Sequence, residues 1–167
     1  MLDERVDALR AIVSANHQEM RRLIGALSDA DLETRTEIGW STRAVAGHIA
    51  QAPAGDVYVA RRLSTGKSAM LPGFLAFTID VANWFAARKF RRATQPELLA
   101  ELDRQHAGLM TYVESLSAYQ LDRSGAVMGV GTLTTFEYLQ QSPSHAHEHA
   151  ASIRRAVAAE PQGASEL

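Results

Sequence analysis

The chain has 167 residues, 46% hydrophobic and 22% charged, which is the size and composition of one globular domain with a core of its own. It contains no cysteine. That excludes disulfides, thiolate zinc sites, iron–sulfur clusters and cysteine nucleophiles, and it leaves His, Asp and Glu as strong metal ligands. With 17 basic and 19 acidic side chains the formal net charge is -2, so nothing general attracts the chain to phosphate backbones or anionic lipid.

Met1-Leu2-Asp3-Glu4-Arg5 is charged from its third residue and does not read as a secretory signal. Residues 3–27 predict a long amphipathic helix. Val6, Leu9, Val13, Met20, Leu23 and Leu27 fall at spacings of three and four, with Asn16 at the missing step. A polar connection leads to Gly39-Trp40-Ser41-Thr42, where Ser41 or Thr42 is the expected N-cap of a second helix. That helix carries Val45, His48, Ile49, Ala52, Val59 and Leu63, with a kink expected at Pro53 and Gly55, and it ends near Gly66.

The most apolar stretch, 68–87, is interrupted by Pro72, Gly73, Asp80 and Asn83, and falls short of the roughly 20 mostly apolar residues of a membrane span. No membrane partner is expected, and the cytoplasm is the expected location. A short apolar helix is predicted from about Phe74 to Lys89. Thr94-Gln95-Pro96-Glu97 is a strong start for the next one, whose stripe is Leu99, Leu102, Leu109, Val113 and Leu116. Residues 117–131 read as a loop, and Ala126–Leu133 is an apolar β-like run split by glycines. A last helix is predicted from Thr134 to Ala159, with Phe136, Leu139, Ile153 and Val157 on its face, and 160–167 as a frayed tail. Four long helices and one short one predict an all-α bundle, with residues 1–159 as a single domain.

Chemistry concentrates in the histidines. At about 100° per residue, His145 and His149 lie some 40° apart on one helix face, and His147 points away from both. An i, i+4 pair can place two imidazole nitrogens on one ion. Glu148 follows the wrong histidine for the helical metalloprotease motif, so that reading fails. A third ligand has to come from another element, and His48, on the interior stripe of the second helix, is the natural candidate. Each signal also has an ordinary reading: interior histidines are often satisfied core residues, and i, i+4 pairs occur by chance. His145 and His149 flank the apolar stripe instead of centring on it. His17 and His106 border the stripes of their own helices, where either can line a pocket.

The run Gly39-Trp40-Ser41-Thr42-Arg43-Ala44-Val45-Ala46-Gly47-His48-Ile49-Ala50, followed by His145-x-x-x-His149-x-x-x-Ile153-Arg154, resembles the DinB/YfiT-like metalloenzyme superfamily over nearly the whole chain. The resemblance implies a four-helix bundle with one divalent ion, zinc or nickel, held by His48, His145 and His149. It also implies a homodimer, to which the apolar Phe74–Trp84–Phe85 segment contributes an expected surface. In some relatives the first residue of the late pair is Glu, so His145 belongs with an all-His branch. Related branches include mycothiol- and bacillithiol-dependent transferases and the N-terminal domain of maleylpyruvate isomerase.

The expected activity is therefore metal-dependent transfer of a low-molecular-weight thiol to a small electrophilic molecule, since the chain has no sulfur nucleophile of its own. A hydrolase using bound water and a metal-bearing bundle without chemistry are the alternatives. No catalytic acid or base is identifiable. Asp56, Asp80 and Asn83 are candidates for the surroundings of the ion, and Arg88 and Arg154 for pairing with a substrate carboxylate. The basic run Arg88-Lys89-Phe90-Arg91-Arg92 reads as a solvated helix end, and no nucleic-acid partner is expected.

Overall fold

Each long helix begins where its free backbone amides find an acceptor or have no proton to offer. The computed structural model describes residues 3–70 and 88–159. Asp3 accepts from the Arg5 amide at 3.0 Å and opens α1 (Glu4–Gly25). Ser28 and Asp31 form a capping box for a five-residue helix, α2 (Asp29–Glu33), within the stretch expected to be a polar connection. Ser41 caps α3 (Thr42–Ser64), which runs uninterrupted through Pro53. Thr94 and Glu97 form the capping box of α4 (Gln95–Glu114), with Pro96 in its first turn.

Two expectations need correction. Residues 117–131 are not a loop: they hold α5 (Ala118–Asp122) and β1 (Ser124–Val127), which pairs antiparallel with β2 (Gly131–Thr134) in the register Ser124↔Thr134 to Val127↔Gly131. The glycines that split the apolar run make the turn of this hairpin, with Gly129 at φ +75 and Gly131 at φ +112. The last helix is also two helices, α6 (Thr135–Gln141) and α7 (Pro143–Ala159). Pro143 has no N–H for the Leu139 carbonyl four residues back. The Ser142 hydroxyl donates to that carbonyl instead, at 3.3 Å, and α7 starts afresh.

The four long helices, α1, α3, α4 and α7, form the bundle, with α3 packed on both α4 and α7. At one end Met20, Ile24, Val45, Ile49, Leu98 and Ile153 belong to one buried cluster; at the other, Val6, Leu9, Leu109, Val113 and Leu139 belong to a second. Of the stripe expected on α3, Val45, Ile49 and Leu63 are buried. His48, Ala52 and Val59 are half-buried because they face a cavity. On α4 it is Leu98, not Leu99, that is fully buried. The helix expected from Phe74 to Lys89, with Asp80, Asn83, Trp84 and Phe85, lies outside the described residues except for its last two, as does the tail 160–167. Among the described residues, no helix is long and apolar enough to cross a membrane.

Candidate metal centre

The approach to His48 is built from a tight turn. The Thr36 amide donates to the Trp40 carbonyl at 2.9 Å, and Gly39 takes φ +81, a conformation that glycine adopts without strain. The Thr42 amide donates to the Thr34 carbonyl at 2.8 Å, which fixes where α3 begins. Trp40 is thereby set with its ring edge-on to the His48 imidazole, centroids 6.1 Å apart. The Gly-Trp-Ser sequence thus does three jobs: it turns the chain, places a ring against the histidine and caps the helix.

His145 and His149 reach the same point from α7. The face of α7 in the core carries Ala146, Ala150 and Ile153. Each of the two histidines directly precedes one of those alanines, which sets it about 100° round the helix from the packed face. That leaves His145 exposed and His149 half-buried, at the edge of the bundle. The three rings converge: centroid distances are 5.1 Å (His48–His145), 4.8 Å (His48–His149) and 4.6 Å (His145–His149). Each pair is nearly perpendicular, and one nitrogen from each ring lies within 4.8 Å of the others.

This donor set fits a divalent ion. His48 Nε2 and His145 Nε2 are 2.9 Å apart, close to the roughly 3.3 Å between neighbouring nitrogens on a tetrahedral ion with 2.0–2.1 Å bonds. Two rings at that distance share either a proton or an ion. The third ring, edge-on to both, has no place in a two-ring hydrogen bond and favours the ion. Burial, reinforced by His149 and His145, pulls the His48 pKa down to about 4. Burial and His145 lower that of His149. Neutral imidazoles with free lone pairs are the form a metal needs. Three imidazoles suit zinc or nickel better than magnesium or calcium, which take oxygen donors.

His48 and His145 also line a cavity of about 560 Å³, roofed by the hairpin residues Met128, Val130 and Leu133. Asp56, two turns beyond His48 on α3, lies on its wall and accepts a hydrogen bond from the Tyr138 hydroxyl at 3.0 Å. Burial pushes the Asp56 carboxyl up to about 6, against the lowering effect of its bonds to Tyr138 and Ser142. Burial, reinforced by the Asp56 charge, raises Tyr138 in turn. The folded chain therefore holds the Asp56 proton more tightly than the unfolded chain does. Asp56 weakens folding progressively as pH rises through the interval from about 4 to about 6. Asp56→Asn, which does not titrate, is expected to gain on the parent over that interval and to level off above pH 7. About 1–2 kcal/mol is expected after allowance for cavity water. Urea denaturation at pH 4.5 and 7.5 measures the difference, and an unchanged difference between the two pH values would refute it.

The other histidines serve elsewhere. His17 and His106 stack with centroids 3.9 Å apart and planes 7° from parallel, and His17 Nε2 lies 2.8 Å from Asp103 Oδ1. Burial and His17 lower the pKa of His106. The two rings line a small cavity of about 20 Å³, apart from the triad. His147 points outward to Glu19 at 3.3 Å, as its helical phase requires, and Arg154 binds the same carboxylate at 2.8 Å instead of facing the cavity. Arg88 is exposed. The basic run is broken by Phe90, buried in the core, and by Lys89, paired with Glu101 at 3.2 Å. Asp80 and Asn83 lie outside the described residues. The sequence signalled the triad but not the hairpin roof or the Asp56–Tyr138 pair, whose partners are 82 positions apart.

The profile of the DinB superfamily matches residues 12–153. No curated protein matches the chain. Among solved structures, YfiT from Bacillus subtilis is similar over 95% of this chain and 89% of its own, with a TM-score of 0.72 and 19% identity. It is described as a probable metal-dependent hydrolase with an unusual four-helix bundle topology. The mycothiol-dependent maleylpyruvate isomerase is similar over 89% of this chain with a TM-score of 0.70 and 12% identity. The chain spans only 60% of that isomerase. At these identities the likeness is one of fold.

Proposed function

The chain belongs to the DinB superfamily, and from that premise we propose a metal-dependent enzyme that joins a low-molecular-weight thiol to a small electrophilic molecule, working as a cytoplasmic homodimer. The observation that carries the reading is the convergence of His48, His145 and His149, the first two of which line a 560 Å³ cavity. Three protein donors are the count of catalytic zinc sites, whereas structural sites use four. In this reading the three imidazoles hold a zinc or nickel ion, whose Lewis acidity lowers the pKa of a thiol or water beside it.

The chain's own residues supply the rest. The edge of Trp40 holds the His48 ring in place. Met128, Val130 and Leu133 offer apolar surface to the substrate and exclude water from it. With no cysteine in the sequence, any sulfur nucleophile has to enter as a cosubstrate, and a mycothiol-dependent relative of similar fold supports that choice.

Element analysis of the purified chain, followed by assay of the zinc and nickel forms with electrophiles and candidate thiols, tests the proposal. Turnover is expected only with both metal and thiol. Ester or amide cleavage without thiol would replace the transferase by a hydrolase. Metal retention with neither activity would leave a non-catalytic metal-binding bundle. Failure to retain zinc or nickel would end the metal reading itself.

A further inference from the structure

Among the described residues, the cavity wall carries one carboxylate, Asp56, and its basic groups are the imidazoles of His48 and His145 at the far end. Its lining residues among those described include neither Lys nor Arg, and the sequence has none between 71 and 87. At the Asp56 end, away from the imidazoles, a substrate carboxylate would thus meet a like charge and no Lys or Arg, at a prohibitive desolvation cost. Asp56 is in the converse position. Its hydrogen-bonding neighbours, Tyr138 and Ser142, are both neutral. They use at most about two of the four acceptor positions of a carboxylate. A half-enclosed carboxylate of this kind is completed by a cationic donor that brings its own protons.

We propose that the cavity is an amine-binding subsite, taking an otherwise apolar small molecule whose ammonium group sits on Asp56 while its other end reaches the imidazoles. The apolar body lies against Val59, Met128, Val130 and Leu133. Asp56 is eight residues beyond His48 on the same helix, a rise of about 12 Å, so the ligand is elongated and its amine is remote from the reacting end. A volume of 560 Å³ is in the range that encloses a molecule of drug-like size. The role of the far end rests on the metal-enzyme reading. The amine subsite itself does not, and it can be tested without a metal.

The test uses the full chain freed of metal by chelation, titrated calorimetrically at pH 7.5 with 4-phenylbutylamine, 4-phenylbutanol and 4-phenylbutyrate. The amine is expected to bind at least about tenfold more tightly than either analogue, the discrimination of a single charge-assisted hydrogen bond. Asp56→Asn is expected to bring the amine to the level of the alcohol. In the unmodified chain carrying methyl-labelled methionine, the amine is expected to shift the Met128 methyl signal and to leave that of Met110 in place. This second reading keeps the test decisive if the variant is poorly folded. Equal binding of the three probes, no binding of any, or an amine affinity untouched in Asp56→Asn would overturn the subsite. If the same preparation still takes up a full equivalent of zinc, the metal-enzyme reading survives that failure, and if it does not, the two have failed separately.

Discussion

On the proposed function, His48→Ala protein is expected to purify without a divalent metal and to show no metal-dependent turnover. The triad takes one imidazole from α3 and two from α7, so this change leaves only the i, i+4 pair on one helix. Two imidazoles hold a divalent ion weakly in water, and a fall in affinity of at least about 100-fold is expected, beyond what loss of a supporting hydrogen bond to a ligand produces. His145→Ala and His149→Ala should behave alike, because each ring faces the other two at comparable distance. His147→Ala is the control: it is one helical position from Ala146 and two from His149, yet its ring is spent on Glu19 at the surface. Metal content by mass spectrometry after dialysis, with circular dichroism to confirm folding, reads all four. Undiminished metal in His48→Ala would remove the basis of the proposed function.

The second large effect is on stability. Replacing a mid-helix glycine by alanine ordinarily stabilises a helix by about 1 kcal/mol. At Gly47 the sign should invert. A Cβ there would lie 2.3 Å from Phe90 Cγ and 2.5 Å from Phe90 Cβ. The Phe90 Cβ is tied to its own backbone, so rotating the ring cannot clear the space, and α3 and the Phe90 segment must separate. Overpacking of this kind costs about 1–3 kcal/mol, which in a chain of this size lowers the melting temperature by about 3–10 °C. Gly108→Ala on α4, where the new methyl meets nothing within 4 Å, should raise it instead. Gly47→Ala combined with Phe90→Gly, which removes that Cβ, should recover the part of the loss due to the clash. Thermal melts decide the matter, and a rise for Gly47→Ala would show that the contact is not rigid.

How far the sequence carries depends on the range of the interaction. Helix starts were legible because caps are local: Ser41, Thr94 and Pro96 act within a few residues of themselves. The phase of His145, His147 and His149 was legible because 100° per residue fixes it over one turn, and the structure brings the first and last to His48 and the middle one to Glu19. The hairpin was missed because each of its strands is only four residues long and its glycines resemble those of a loop. Their left-handed conformation, which closes the turn, is a property of the paired strands. The boundary at Pro143 is not legible in the sequence, since a proline kinks a helix or begins one according to what its neighbours can satisfy. Pro53 lies within an unbroken helix 90 positions earlier in the chain. Asp56 stood out only as a polar residue near His48. Its partner Tyr138 comes from a distant helix, and no pattern in sequence links the two.

The junction at Ser142–Pro143 has a consequence for how such a protein can diversify. Because α7 begins its own count at Pro143, lengthening or shortening the hairpin or α6 does not rotate His145 and His149 about the axis of α7. In one continuous helix, a single inserted residue would swing both rings by about 100° away from His48. Here the hairpin that roofs the cavity and the His145–His149 pair sit on opposite sides of the break between α6 and α7. Evolution can therefore alter the roof while the two imidazoles stay in register with His48.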